Sequence, residues 1–248
     1  MIDKNGESGS GRGILSPLTT YLLPLNNVVK RGFDIVASAA ALVVLSPVML
    51  ACTVWIKRDS EGPVIFRQDR LTKNGRVFQM LKFRSMVQDA EKQGAGLFNY
   101  EGDPRVTRSG RFLRDHSLDE LPQLINILRG DMSIVGPRPC VVYELGDYAT
   151  LNRRFKKRFE VTAGLTGYAQ VEGRNELPWD EKVDLDNRYI DLYRRWGVAL
   201  DAWIILKTVI GVVRHKDIYE NKTDASLSDN ESAEQEQRRI IEIAHSEG

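Results

Sequence analysis

The chain is poor in the residues that build a covalent or metal-bound scaffold. Its 248 residues include two cysteines, Cys52 and Cys140, and three histidines, His116, His215 and His245. Two isolated thiols cannot make a disulfide framework, and neither stands in a CxxC or at ligand spacing from a histidine, which argues against structural zinc. The histidines form no cluster, and His116, the one nearest the candidate chemistry below, reads as a polar surface residue. There is no internal repeat and no cleavable-leader pattern, because the first long apolar run begins far from the N-terminus and lacks a good small-residue cleavage site. An excess of either charge is also missing, with 35 Lys and Arg against 34 Asp and Glu. The remaining balance, 42% apolar and 28% charged, excludes a wholly disordered or collagen-like chain. The length suits one packed unit with appendages.

Near-neutrality conceals a division. Residues 217–248 carry nine acidic side chains against Lys222, Arg238 and Arg239, and residues 1–27 cancel, so 28–216 hold a balance of +7. A basic body of that size suits phosphorylated ligands, nucleic acid or an anionic membrane face, without choosing between them. The first thirteen residues are Gly/Ser-rich and read as a mobile leader; Gly9, Gly11 and Gly13 lack the strand and helix that a phosphate loop requires.

Ile35–Ile56 is an uncharged run of 22 residues, roughly 33 Å long at ~1.5 Å per residue if helical. Lys30 and Arg31 precede it while Lys57 and Arg58 follow it, so both ends ask for the cytoplasmic side. Ser46-Pro47 lies at its middle, where proline removes a backbone donor. A re-entrant hairpin and a kinked single-pass helix both satisfy this pattern. Further on, Val64–Arg70 and Val77–Arg84 flank Asn74-Gly75 and read as a β-hairpin. Ser117-Leu118-Asp119-Glu120 has the spacing of a capping box before a helix ending at Gly130, with Pro122 complicating its first turn. Val198–Val213 is apolar but carries Asp201 and Lys207, and fits either an interfacial helix or a buried one. Residues 221–248 read as a solvated acidic tail with a short helical piece near Arg238–Ala244; its sequons at Asn221 and Asn230 are chance matches if the region is cytoplasmic.

Chemistry concentrates around Asp119 and Glu120. Acidic residues in a first helical turn often only complement the helix dipole. Here Arg111 and Arg114 precede them, and Gly136-Pro137-Arg138-Pro139 follows, with an arginine between two residues of fixed φ. Such an arginine is well suited to aim a guanidinium at phosphate. Lys82-Phe83-Arg84-Ser85-Met86 adds cations at the end of the second strand, Lys82 and Arg84 on one face and Phe83 on the other, although charges that merely protect a sheet edge would look the same. A carboxylate nucleophile, cations that quench repulsion and fixed donors are what phosphoryl transfer needs.

Taken in order, Lys30-Arg31-Gly32-Phe33-Asp34, the run with Ser46-Pro47, Gly62-Pro63, Phe66-Arg67-Gln68, Lys82–Met86, Asp119-Glu120-Leu121-Pro122-Gln123 and Asp131–Pro139 resemble the bacterial sugar transferases, the monotopic polyprenyl-phosphate phosphoglycosyl transferases. The resemblance covers about residues 28–216. It implies a mixed α/β, mainly helical, membrane-associated fold with a re-entrant helix-break-helix over about 33–58, broken at Ser46 and Pro47, a small β-hairpin and interfacial amphipathic helices. Residues 1–27 would be a flexible leader, 28–216 the transferase domain and 217–248 an acidic tail. The implied reaction moves a sugar 1-phosphate from a UDP-sugar to undecaprenyl phosphate with Mg²⁺, releasing UMP, at the cytoplasmic face of the bacterial inner membrane. It would open the synthesis of a surface glycan.

By the same resemblance, Asp119 is the nucleophile that forms an aspartyl phospho-sugar, and Glu120 serves the metal or a proton transfer, with both carboxylates available to Mg²⁺. Lys82, Arg84, Arg114 and Arg138 would bind substrate phosphate, Pro137 and Pro139 would present Arg138, and Asp186, a further acidic position, would join the substrate-binding residues. Partners would be the UDP-sugar, undecaprenyl phosphate and the lipid bilayer, with no nucleic acid and with homo-oligomerisation left open. The stretches Gln88–Asp103 and Val161–Trp179 are expected to select the sugar. Two rival readings are a non-enzymatic basic membrane-attached module binding lipid or nucleic acid, and direct displacement without a covalent step.

Overall fold

The computed structural model describes residues 17–93, 96, 102–173, 177–213 and 230–246. The expected leader up to residue 16, His215, the Asn221 sequon and residues 217–229 lie outside them. The chain runs through α1 (Pro17–Asp59), β1 (Ile65–Leu71), β2 (Val77–Phe83), α2 (Arg108–Asp115), α3 (Gln123–Arg129), β3 (Ser133–Val135), α4 (Arg153–Lys157), β4 (Gly164–Thr166), α5 (Tyr168–Gly173), α6 (Trp179–Trp196), α7 (Val198–Val213) and α8 (Asn230–His245). Among the described residues this is a mainly helical architecture with one antiparallel hairpin and one short parallel strand pair.

α1 corrects two expectations. It starts ahead of the predicted boundary, so residues 17–27 belong to the helix rather than to a leader, and it does not divide at Ser46-Pro47. The reason is local. Pro47 has no N–H to give the carbonyl of Val43, and the Ser46 hydroxyl donates to that carbonyl instead at 2.8 Å. From Pro24 to Asp59 the helix is long and apolar enough to cross a membrane by length and composition.

One face of α1 is anchored along the protein body. The Asp34 carboxylate accepts from the backbone N–H of Ile134 at 3.0 Å, and Lys30 donates to the Val135 carbonyl at 2.8 Å while pairing with Asp201. Arg31 donates to the carbonyls of Ile127 and Leu128 in the last turn of α3, the first of which also accepts from the Gly130 N–H at 3.0 Å. Ala41, Leu42 and Leu45 pack on Phe78, Met80, Leu124 and Ile127. A turn or two later, Cys52 and Ile56 pack with Phe83 and Leu113. The opposite face, including Val36, Val43, Val44, Leu50 and Val54, is exposed.

The hairpin forms where the sequence places it, in register from Ile65↔Phe83 to Leu71↔Val77, and Asn74 and Gly75 take the positive φ that the turn requires. The Asn126 side chain couples α3 to β2, accepting from Leu81 N–H at 2.9 Å and donating to the Gln79 carbonyl at 2.8 Å. β3 and β4 pair in parallel, with Gly136 and Gly164 so close that a Cβ on Gly164 would stand 2.1 Å from Gly136 N.

α7 is neither wholly buried nor wholly free. Ile204 is in the core and Asp201 is held by Lys30 and the Tyr189 hydroxyl, while Trp203, Leu206, Val209 and Ile210 are exposed. The acidic segment also differs from a solvated tail. α8 is longer than expected and buries Ile240 and Ala244 against Leu145, Phe155 and Val183, because Ile240, Ile243 and Ala244 recur at helical spacing. Gln237 donates to the Glu144 carbonyl at 2.6 Å, and Asn152 N–H donates to the Ala244 carbonyl at 2.9 Å.

Candidate active site

The expected capping box does not form. Ser117 takes a left-handed conformation (φ 54°) and makes no side-chain cap; Leu118–Glu120 is a 3-10 turn, and α3 begins only at Gln123. Pro122 explains this, since it lacks the N–H that a continuous helix would use. The acidic pair therefore sits on a tight turn between α2 and α3. Asp119 is 8% exposed and lines a cavity of about 450 Å³, within the usual range of small-molecule sites.

Of the other predicted site residues, Lys82, Arg84, Arg114, Arg138, Pro139 and Asp186 line the same cavity. Lys82 and Arg84 are buried, and Phe83 points the other way into the core. They are therefore not a solvated sheet edge. Glu120 Oε1 lies 2.6 Å from Arg138 Nη2 and 3.7 Å from Lys82 Nζ. Arg114 Nε donates to the Ser85 hydroxyl at 3.0 Å. Ser46 and Pro47 stand apart on α1, and His116 stacks on Phe112 at 4.2 Å between ring centroids, consistent with a surface role.

The Pro-Arg-Pro segment is rigid for a reason beyond its two fixed φ angles. Prolines contribute no N–H, so the segment is held through its carbonyls. Gly164 N–H donates to Pro137 O at 2.8 Å, Arg158 Nη2 to Arg138 O at 2.8 Å, and Arg70 Nη1 to Pro139 O at 2.7 Å. Next along, Leu71 N–H donates to Cys140 O at 2.9 Å. Four successive carbonyls are pinned, and the Arg138 side chain projects from that rail onto Glu120.

Asp186 does not join the acidic pair. It forms an ion pair with Arg158 at 2.9 Å, both side chains 4% exposed. Burial raises its carboxyl to about 6 against the opposing pull of the Arg158 guanidinium. Cys140, beside Pro139, is pushed up to about 12 by burial and is chemically inert at neutral pH. Sequence reasoning missed Arg158, along with Arg70 and Trp179, whose ring lies 4.9 Å from the Arg158 guanidinium carbon. Arg158 hides in the basic run Arg153–Arg158; its spacing of three from the core residue Phe155 was the available signal that it faces inward.

The model of the family described as bacterial sugar transferase matches residues 25–215. The chain belongs to that family. Among curated relatives, the chain is 41% identical over 221 residues to a UDP-glucose:undecaprenyl-phosphate glucose-1-phosphate transferase of Klebsiella pneumoniae, covering 88% of this chain and 47% of the relative. It is 41% identical to a UDP-N-acetylgalactosamine-undecaprenyl-phosphate N-acetylgalactosaminephosphotransferase of Aeromonas hydrophila, covering 84% of this chain and 47% of that protein. It is also 35% identical to the exopolysaccharide production protein ExoY of Rhizobium meliloti, over 81% of this chain and 92% of ExoY. The chain thus spans about half the length of the first two relatives. α8 lies beyond the matched region.

Proposed function

We propose that this protein transfers a sugar 1-phosphate from a UDP-sugar to undecaprenyl phosphate and releases UMP, as the first membrane step of a surface polysaccharide. The observation that carries the reading is Asp119 lining a cavity whose walls include Lys82, Arg84, Arg114 and Arg138, in a protein whose long first helix has an apolar exposed face. The names of the Klebsiella and Aeromonas relatives supply the substrate class.

In the first step an Asp119 carboxylate oxygen attacks the sugar-bearing phosphorus. The bond from that phosphorus to the bridging oxygen breaks, and UMP leaves with the oxygen and its electron pair. In the second, a phosphate oxygen of the lipid attacks the same phosphorus and the aspartyl carboxylate departs unchanged. Lys82, Arg114 and Arg138 offset the charge on the phosphate oxygens as the nucleophile approaches. Arg138 and Lys82 also hold Glu120 in place.

No three His, Cys, Asp or Glu side chains converge among the described residues, so those residues offer no complete metal cage of their own. Two adjacent carboxylates completed by substrate phosphate oxygens do fit Mg²⁺, which favours that donor set, and Asp119 and Glu120 would hold it. When bound, it would supply charge neutralisation at the diphosphate.

The membrane reading rests on α1. Both Asp34 and Ile56, near the two ends of the apolar stretch, dock on one body, which supports an unbroken helix that lies in one leaflet rather than one that crosses. The active site then faces the cytoplasm, where a soluble nucleotide sugar and a membrane-held polyprenol meet, and residues 28–216 form the transferase domain.

The test is UMP release from a panel of UDP-sugars with undecaprenyl phosphate. We expect turnover that is lost on chelation and reduced by on the order of 10³-fold or more in Asp119→Asn, which removes the nucleophile. Full activity in Asp119→Asn would overturn the role of Asp119. Trapping of labelled phospho-sugar on the protein without lipid supports the covalent path, and its absence favours direct displacement.

A further inference from the structure

Arg84 is buried, 5% exposed, and lines the cavity immediately after β2. Its Nη2 donates to the carbonyl and the hydroxyl of Ser60, at 2.7 and 2.9 Å. Its Nε and Nη1 have no hydrogen-bond partner. Three of the five N–H bonds of a buried guanidinium are therefore unused, an arrangement that is costly unless a ligand completes it. The neighbouring carboxylates have other partners: Glu120 is held by Arg138 and Lys82, and Asp186 by Arg158.

The chain is shaped around this guanidinium. Gly62, at φ 111°, is close enough that a Cβ would lie 2.4 Å from Arg84 Nη1, so the turn between α1 and β1 needs glycine there to leave the guanidinium its place. That turn begins at Ser60, the first residue beyond α1, so the fixed end of Arg84 is tied to the helix whose outer face is apolar. Pro63 and Phe66 line the cavity with it, an apolar surface beside an unsatisfied cation. This pairing matches a phosphate monoester carried on a hydrocarbon chain. A nucleotide instead sets a polar ribose directly beside its phosphate, where this wall offers Pro63 and Phe66. The cavity's other incompletely bonded buried guanidinium, Arg158, comes from a different part of the chain and lies beside the Trp179 ring.

From this placement we infer that Arg84 receives the phosphate of the polyprenyl acceptor, while the donor diphosphate is bound by the other cations of the cavity. The inference rests on the proposed reaction and deepens it by separating its two phosphate ligands within one site.

The experiment compares wild type with Arg84→Gln and Arg84→Lys in detergent micelles. It uses a UDP-sugar that the wild type turns over and a short-chain polyprenyl phosphate, with UMP as the readout. In a two-step reaction through a shared intermediate, kcat/KM for each substrate reports its own half. Losing a charged phosphate contact should lower kcat/KM for the polyprenyl phosphate about 10- to 100-fold in Arg84→Gln, and less in Arg84→Lys, which keeps charge without the fork. The corresponding value for the UDP-sugar should move several-fold less. If the glutamine variant does not fold, judged by thermal unfolding, the lysine variant alone must still show the acceptor-weighted loss. Equal losses for both substrates, or a loss confined to the UDP-sugar, overturn the assignment while leaving the proposed function intact. A wild type that releases no UMP from any donor overturns both.

Discussion

The Arg158–Asp186 pair offers a quantitative test of how the site is held. Arg158 makes two bonds through Nη2, to Asp186 and to the Arg138 carbonyl, and lies beside Trp179. Both side chains are 4% exposed, so neither charge can be rescued by water if its partner is removed. Arg158→Met should therefore destabilise the fold by about 3–5 kcal/mol, the usual cost of orphaning one member of a buried pair. For a chain of this length that corresponds to a melting point lower by on the order of 10 °C. Replacing both members tells a different story. Arg158→Met with Asp186→Leu removes both desolvated charges, and apolar replacements of similar volume are commonly near neutral, so the double variant should return to within about 1–2 kcal/mol of wild type. Its activity should stay low, because the Arg138 carbonyl has lost its donor and the guanidinium facing Glu120 is no longer fixed. Thermal or denaturant unfolding in detergent, alongside UMP release, reads both quantities. A double variant as unstable as the sum of its singles, or one with wild-type activity, would refute the argument that this pair serves positioning rather than stability.

Two further predictions concern pH and topology. Because burial raises Asp186 from 3.8 to about 6 in the folded protein, its protonated form favours folding; that contribution is fully present below about pH 4 and is lost as pH rises through about 6. Between pH 7 and 4 the wild type should gain roughly 3 kcal/mol relative to Asp186→Asn in a matched unfolding series, and parallel pH curves would contradict the assignment. Cysteines introduced as Asn5→Cys and Glu61→Cys should both react from the cytoplasmic side, against a low background because Cys52 and Cys140 are buried. Labelling at position 5 by an impermeant reagent added outside the cell would restore a crossing helix.

The sequence was most legible where chemistry depends on order along the chain. The hairpin with its Asn74-Gly75 turn, the Gly130 stop, the acidic pair and the Pro-Arg-Pro element could all be read directly, and the cavity gathers most of the residues they predicted. What could not be read depends on which of several local geometries the chain adopts, or on partners distant in sequence. A Ser-Pro pair does not show whether the serine hydroxyl will repair the gap left by the proline, as Ser46 does by donating to the Val43 carbonyl and keeping α1 whole. Nor does a capping-box spacing reveal that Ser117 turns left-handed because Pro122 delays the helix. Arg158 was one cation among several until the fold brought it beneath the Arg138 carbonyl, and Asp186 looked like a substrate ligand because its counter-ion lies 28 positions away.

The docking of α8 bears on when the protein can begin to work. Ile240 and Ala244 close a core cluster that also holds Leu71, Cys140 and Leu145, the strip of chain just behind the cavity wall. These residues leave the ribosome after everything they cover, and domains tend to fold in the order of synthesis. The nascent chain should thus present an unfinished apolar flank for a short interval after Asp119 has emerged, a window open to a chaperone or to the bilayer itself.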